Sequence, residues 1–228
     1  EQCWVMLKSM LDSDGRYDKG AYQVAFRDHF GYGGKFAGYI DRPTRETLDA
    51  IYRGEYEALQ RANGVPFSGD ARQKSTVLVK ILAAAKRFHG ERLQQEAIYI
   101  TSPMQGSEAC LGYAREIIQA LQAGVEFPGA IDEQLPAVSK LPALIARYAG
   151  HPDLLGHVES AIRVTNNTPR AINFGMICTQ LLDAIIAGED IDSAIAAGLA
   201  VASDSNHSSL QSALASNGSV PELTREVG

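Results

Sequence analysis

The chain has 228 residues, 45% of them hydrophobic, and a formal net charge of -6. Such a length and apolar content can bury one large core or two small ones, and a single domain is expected. A sequence pI of about 5.4 leaves no basic field to steer a phosphate backbone, so nucleic acid is not an expected partner.

Apolar residues recur at helical spacing along most of the chain. The clearest stretch sets Cys110, Ala114, Ile117, Ile118 and Leu121 against Glu108, Arg115, Gln119 and Gln122 on the opposite face. The same spacing predicts helices over 2–12, 18–30, 43–53, 72–89, 106–123, 133–149, 153–164, 169–187 and 190–202, punctuated by Gly, Pro and Asn or Asp. Between the third and fourth of these, residues 54–71 are rich in turn formers and read as a surface excursion. "EAIYIT" at 96–101 has a β-branched and aromatic flavour, too little for a sheet. Pro142 inside 133–149 removes a backbone donor and must kink or divide that helix. The segment 169–187 is apolar over most of its circumference and belongs at the centre of the bundle. An all-α fold follows, with no internal repeat.

The three cysteines, Cys3, Cys110 and Cys178, form no C-x-x-C pair, which points to a reducing compartment and a cytoplasmic location. The most apolar run is broken by Asp183, Glu189, Asp190 and Asp192, so no membrane span is expected. "EQCWVMLKSML" lacks the features of a signal peptide. Because the chain opens on Glu1 rather than Met, the expectation is a protein cut, processed or sampled from a longer reading frame.

Several familiar motifs fail on inspection. "GYGGKFAGY" at 31–39 has Phe36 where a phosphate loop needs Ser or Thr after the lysine, and it follows a predicted helix rather than a strand. His29, His89, His151, His157 and His207 have no ligand-spaced companions, and there is no G-x-S-x-G elbow. Arg42, Arg45, Lys80, Lys86 and Arg87 read as solvated helix faces.

"RVTNNTPRAI" at 163–172 reads locally as a helix junction. Thr168 suits an N-cap, Pro169 the first helical position, and Asn166 or Asn167 a left-handed end to the preceding helix. In "DEQLPAVSK", Asp132 reads as an N-cap with Glu133 or Gln134 in the first turn.

Taken in order, "DGRYDKGAYQVAFRDHFG", "GYIDRPTRETLDAI", "DEQLPAVSKLPALIARYAG" and "RVTNNTPRAINFGMICTQLLDAIIAG" resemble the ADP-ribosylglycohydrolase superfamily, in the branch containing the J-type lens crystallins. The likeness extends over roughly residues 1–200 and is weakest around 54–130. It implies an all-helical fold and Mg²⁺-dependent hydrolysis of a glycosidic bond in an ADP-ribosyl or related nucleotide-sugar substrate. In that family an early Thr-Asp-Asp-Thr segment and a late Asp-x-Asp segment hold the metal, since hard carboxylate oxygens suit Mg²⁺.

Matched to the early segment, Glu1 stands for the first Asp, Gln2 for the second and Cys3 for the Thr, making Glu1 and Gln2 the implied metal positions. No Asp-x-Asp occurs near the end; "SDSNHSS" holds only Asp204, so the resemblance implies an all-α domain incomplete at both termini, or one that never had the late ligands. The resemblance implies substrate-binding roles for Asp132, Gln134, Ser139 and Lys140, the last near a family arginine, and for Thr165 and Asn166, which stand where many members have a Thr-His pair. Lysine meets a phosphate only as a point charge, and Asn cannot exchange a proton as imidazole does. The altered segments leave a second function open, a non-catalytic crystallin-like structural or ligand-binding protein.

Overall fold

The computed structural model describes residues 1–122, 128–133 and 136–215. Their backbone is mostly helical, as the apolar spacing requires. Twelve helices follow in order among the described residues: α1 (Gln2–Leu11), α2 (Lys19–Phe30), α3 (Arg42–Gly64), α4 (Ala71–Ala85), α5 (Gly90–Thr101), α6 (Ser107–Gln122), α7 (Pro136–Ser139), α8 (Leu141–Tyr148), α9 (Leu154–Arg163), α10 (Pro169–Ile186), α11 (Ile191–Ala200) and α12 (Asp204–Ala215). The all-α expectation holds. The one extended pairing among the described residues is a parallel bridge between Ala130 and Asn166.

By contact the chain divides into two units. Unit 1 comprises residues 1–19, 40–47 and 127–228; unit 2 comprises 20–39 and 48–126. In unit 1, α10 packs against α7, α8, α9, α11 and α12, in keeping with the central place expected of it. Ala171, Gly175, Ile177 and Thr179 are its buried residues. Val5, Met6 and Met10 of α1, Leu141, Leu144 and Ile145 of α8, and Leu154, Val158 and Ile162 of α9 are among this unit's buried apolar side chains. At roughly 1.5–3 kcal/mol for each fully buried large aliphatic side chain, these contacts dominate its cohesion.

Unit 2 is built on α4, α5 and α6, which pack pairwise. Their apolar faces meet in a cluster including Val77, Ile81, Leu93, Ala97, Cys110, Ile117 and Ile118, joined by Ala62 of α3. α2 contributes a run of buried aromatics, with the Phe26 and Phe30 rings 5.1 Å apart.

Several local expectations are corrected. The helix expected to stop at residue 53 runs on to Gly64, because Ala58 and Ala62 continue the buried stripe begun by Leu48. Gly54 inside it weakens the helix by only about 1 kcal/mol, which that burial offsets. The β-flavoured "EAIYIT" ends α5, since Leu93, Ala97 and Thr101 are buried at four-residue spacing. Asp204–Ala215, not anticipated, is helical.

The helix expected at 133–149 is divided, as Pro142 required: α8 carries the proline in its first turn, and α7 is a short piece before it. Asp132 is not its N-cap, because α7 starts at Pro136. Neither Asn166 nor Asn167 is left-handed; among the described residues Asp14 is the non-glycine residue with positive φ. The end of α9 is closed by pairing with 129–130 instead. No described helix is long and apolar enough to cross a membrane.

Candidate functional site

The candidate site is a cluster of buried polar side chains within unit 1. Five segments form it: the first turn of α1, the start of α3, the stretch 129–132, the α7–α8 junction, and the connection from α9 to α10. Its backbone frame is the parallel bridge. The Gly129 N–H donates to the Arg163 carbonyl at 3.2 Å, the Ala130 N–H to Thr165 O at 3.1 Å, and the Asn167 N–H to Ala130 O at 2.7 Å. Glycine at 129 is required, because a Cβ there would lie 2.5 Å from Arg163 O and 2.7 Å from Asn166 N.

Thr165 sits at the centre. Its carbonyl also accepts from the Thr47 hydroxyl at 3.2 Å. Its Oγ1 accepts from the Lys140 ammonium and lies 2.9 Å from Asn166 Oδ1, to which it donates. Asn166 Nδ2 and Thr168 Oγ1 both donate to the Asp132 carbonyl, at 3.2 and 3.3 Å. Arg42 donates from Nε and Nη2 to one oxygen of the Asp132 carboxylate, the former at 3.1 Å. That carboxylate is only 1% exposed, while the Arg42 side chain is 60% exposed, so the arginine is the accessible edge of the cluster. Thr168 doubles as the N-cap of α10, accepting the Ala171 N–H, as the T-P signature indicated.

Lys140, in the N-cap position of α8, is fully buried. Burial pushes its ammonium down to about 7 from the ordinary 10.5, and the Asp41 carboxylate offsets part of that. Asp41 itself caps α3, with Oδ1 accepting the Thr44 N–H at 2.8 Å. Thr44 Oγ1 in turn accepts from Gln2 Nε2 at 3.2 Å. Gln2 is 8% exposed, and its Oε1 has no hydrogen-bond partner among the described residues.

The structure therefore brings together Asp132, Lys140, Thr165 and Asn166, four of the six residues expected at a substrate site. Ser139 is exposed at the end of α7, and Gln134 lies outside the described residues. Lys140 does not present an exposed charge for a phosphate; its amine is spent on Thr165. Arg42, expected to be a solvated face residue, is instead the ion-pair partner of Asp132. Sequence inspection missed Arg42, Asp41, Thr44 and Thr47. The legible signal was the helix-start pattern "DRPTRET", which sets Asp41, Arg42, Thr44 and Thr47 within the cap and first two turns of one helix.

The two implied metal positions differ in setting. Glu1 is exposed and Gln2 is a buried neutral amide bonded to Thr44. Among the described residues no group of three or more His, Cys, Asp or Glu is placed to hold a metal ion. One exposed carboxylate and one amide do not fit Mg²⁺, which favours several carboxylate oxygens with retained waters. Compared with known proteins, the chain matches no family model, no curated protein and no solved structure.

Proposed function

We propose that this chain is an ADP-ribosylglycohydrolase-like helical protein whose polar cluster serves an ADP-ribosyl or related nucleotide-sugar ligand. One observation carries the reading: positions 132, 140, 165 and 166, which the resemblance assigns to substrate binding, converge in one hydrogen-bonded cluster although Lys140 and Thr165 are 25 residues apart and Asp132 and Asn166 are 34 apart. Arg42 at the exposed edge supplies a planar donor suited to a phosphate oxygen, and Gln2 Oε1 offers an uncommitted acceptor in the same unit. Hydrolysis with Mg²⁺ would need acidic ligands beyond Glu1.

A second reading, a non-catalytic crystallin-like protein, is favoured by a different observation. Lys140, Thr165 and Asn166 are all completely buried, and their polar groups are bonded to one another. A closed, satisfied network of this kind specifies a fold without any ligand.

Thermal melting of the chain with saturating ADP-ribose, with and without Mg²⁺, tests the proposal. A ligand bound only by the folded state at a hundred times its Kd adds about 2.7 kcal/mol, and Arg42→Ala should abolish the rise. An unchanged melting temperature under both conditions would leave the crystallin-like reading standing. Release of ADP-ribose from a modified substrate, dependent on Mg²⁺, would extend the proposal to catalysis.

A further inference from the structure

We propose that unit 2 carries a separate binding site for a small aromatic amine, in the concavity between loop 65–68 and one face of α6. The cavity has a volume of about 530 Å³, within the usual range for small-molecule pockets. Its floor is a helical stripe, Ala109, Gly112, Tyr113 and Glu116, which share a face at i, i+3, i+4 and i+7. Ala109 and Gly112 hollow that stripe, and a Cβ at Gly112 would meet nothing within 4 Å.

The walls are organised rather than collapsed. The Phe67 and Tyr113 rings lie 5.4 Å apart at 46°. The Lys74 ammonium donates to Asn63 O and Val65 O, both at 2.7 Å, and stands 5.3 Å from the centre of the Tyr113 ring. These bonds tether the start of the loop and occupy the ammonium beside Tyr113.

Ligand chemistry follows from two groups that line the site. Tyr113 is 3% exposed, and its hydroxyl has no hydrogen-bond partner among the described residues. That oxygen is closed to solvent, and a buried hydroxyl left unmet is unfavourable, so a ligand that parts the atoms covering it gains a bond that water does not already supply. Glu116 is the charged residue of the lining, and the Lys74 ammonium beside Tyr113 is held on the Asn63 and Val65 carbonyls, so the rim carboxylate favours a positive ligand and disfavours a phosphate or carboxylate. An aromatic surface formed by the packed Phe67 and Tyr113 rings, with a carboxylate at the rim, suits a flat apolar body bearing an ammonium. The site uses none of the residues of the polar cluster and does not depend on the function proposed for it.

Titration of the whole chain with phenethylamine, 2-phenylethanol and phenylacetate, followed by calorimetry or amide chemical shifts, tests this. The amine should bind saturably, about five-fold more tightly than the alcohol, with the acid weakest. Glu116→Gln, at an exposed position, should bring the amine down to the affinity of the alcohol. Gly112→Leu fills the hollow while improving helix propensity, so it should remove binding of both with the melting temperature kept or raised. Absence of saturable amine binding would overturn the proposal. So would an amine affinity unaffected by Gly112→Leu, or an amine preference that survives Glu116→Gln.

Discussion

Replacing the buried lysine by a chain of similar length, Lys140→Met, is the sharpest probe of the polar cluster. Lys140 is fully buried and its ammonium is lowered from 10.5 to about 7 by burial. Between those values the unfolded chain holds a proton that the folded protein has released, so stability rises with pH across that window and is flat below it. At about 1.4 kcal/mol for each tenfold loss of proton affinity, the cost of keeping the charge inside has a ceiling of about 5 kcal/mol. Against it stand the bonds from Nζ to Thr165 Oγ1 and to Ala161 O at 3.5 Å, together about 1–2 kcal/mol.

The methionine variant loses both the buried charge and its bonds. Near pH 6 it should be more stable than the parent by roughly 2–3 kcal/mol, and by about pH 10 the parent should have caught up or overtaken it. Urea denaturation of both proteins between those limits measures the difference directly, because every other titrating group is shared. Parallel stability curves through the window would refute the argument, since the ammonium would then not be held in a desolvated state.

Three other substitutions test neighbouring parts of the structure. Thr168→Ala removes the N-cap bond to the Ala171 N–H and the bond to the Asp132 carbonyl; a loss of about 1–2 kcal/mol in a denaturant titration is expected. Gly129→Ala places a methyl group against the Arg163 carbonyl and the Asn166 amide, so the bridge must open, with a cost of about 1–3 kcal/mol and a lowered melting temperature. The phenol of Tyr17, raised to about 12 chiefly by burial, keeps its proton in the folded state after the unfolded chain has lost it. That contribution falls away as pH rises from about 10 through 12. Tyr17→Phe should cost about 1 kcal/mol at neutral pH through the lost Ser160 bond yet flatten the alkaline decline, as read from unfolding midpoints.

Local chemistry in the sequence accounts for much of the fold. Period-3.6 apolar spacing marks most of the helices, Pro142 marks the division between α7 and α8, and Thr168-Pro169 marks the start of α10, because each acts within a turn or two of its own backbone. Residues 54–64 and 96–101 escaped this logic. Their helicity comes from what they pack against: Ala58, Ala62 and Ala97 are buried, and burial outweighs a glycine or a β-branched residue whose intrinsic preference is below about 1 kcal/mol.

The polar cluster divides along the same line. Its candidate residues were legible as types and as a resemblance, but not their settings. Whether Lys140 meets solvent or Thr165, and whether Arg42 is a free surface charge or the partner of a buried Asp132, depends on groups 25 and 90 residues distant. Those partners are brought within hydrogen-bond reach only when the bundle closes. Sequence alone determined the helical character and the Thr168 cap of α10, because their energies are local; tertiary structure overturned the caps read at Asp132 and at Asn166 or Asn167 and decided which polar groups are buried together, because desolvation and hydrogen bonding depend on distance in space.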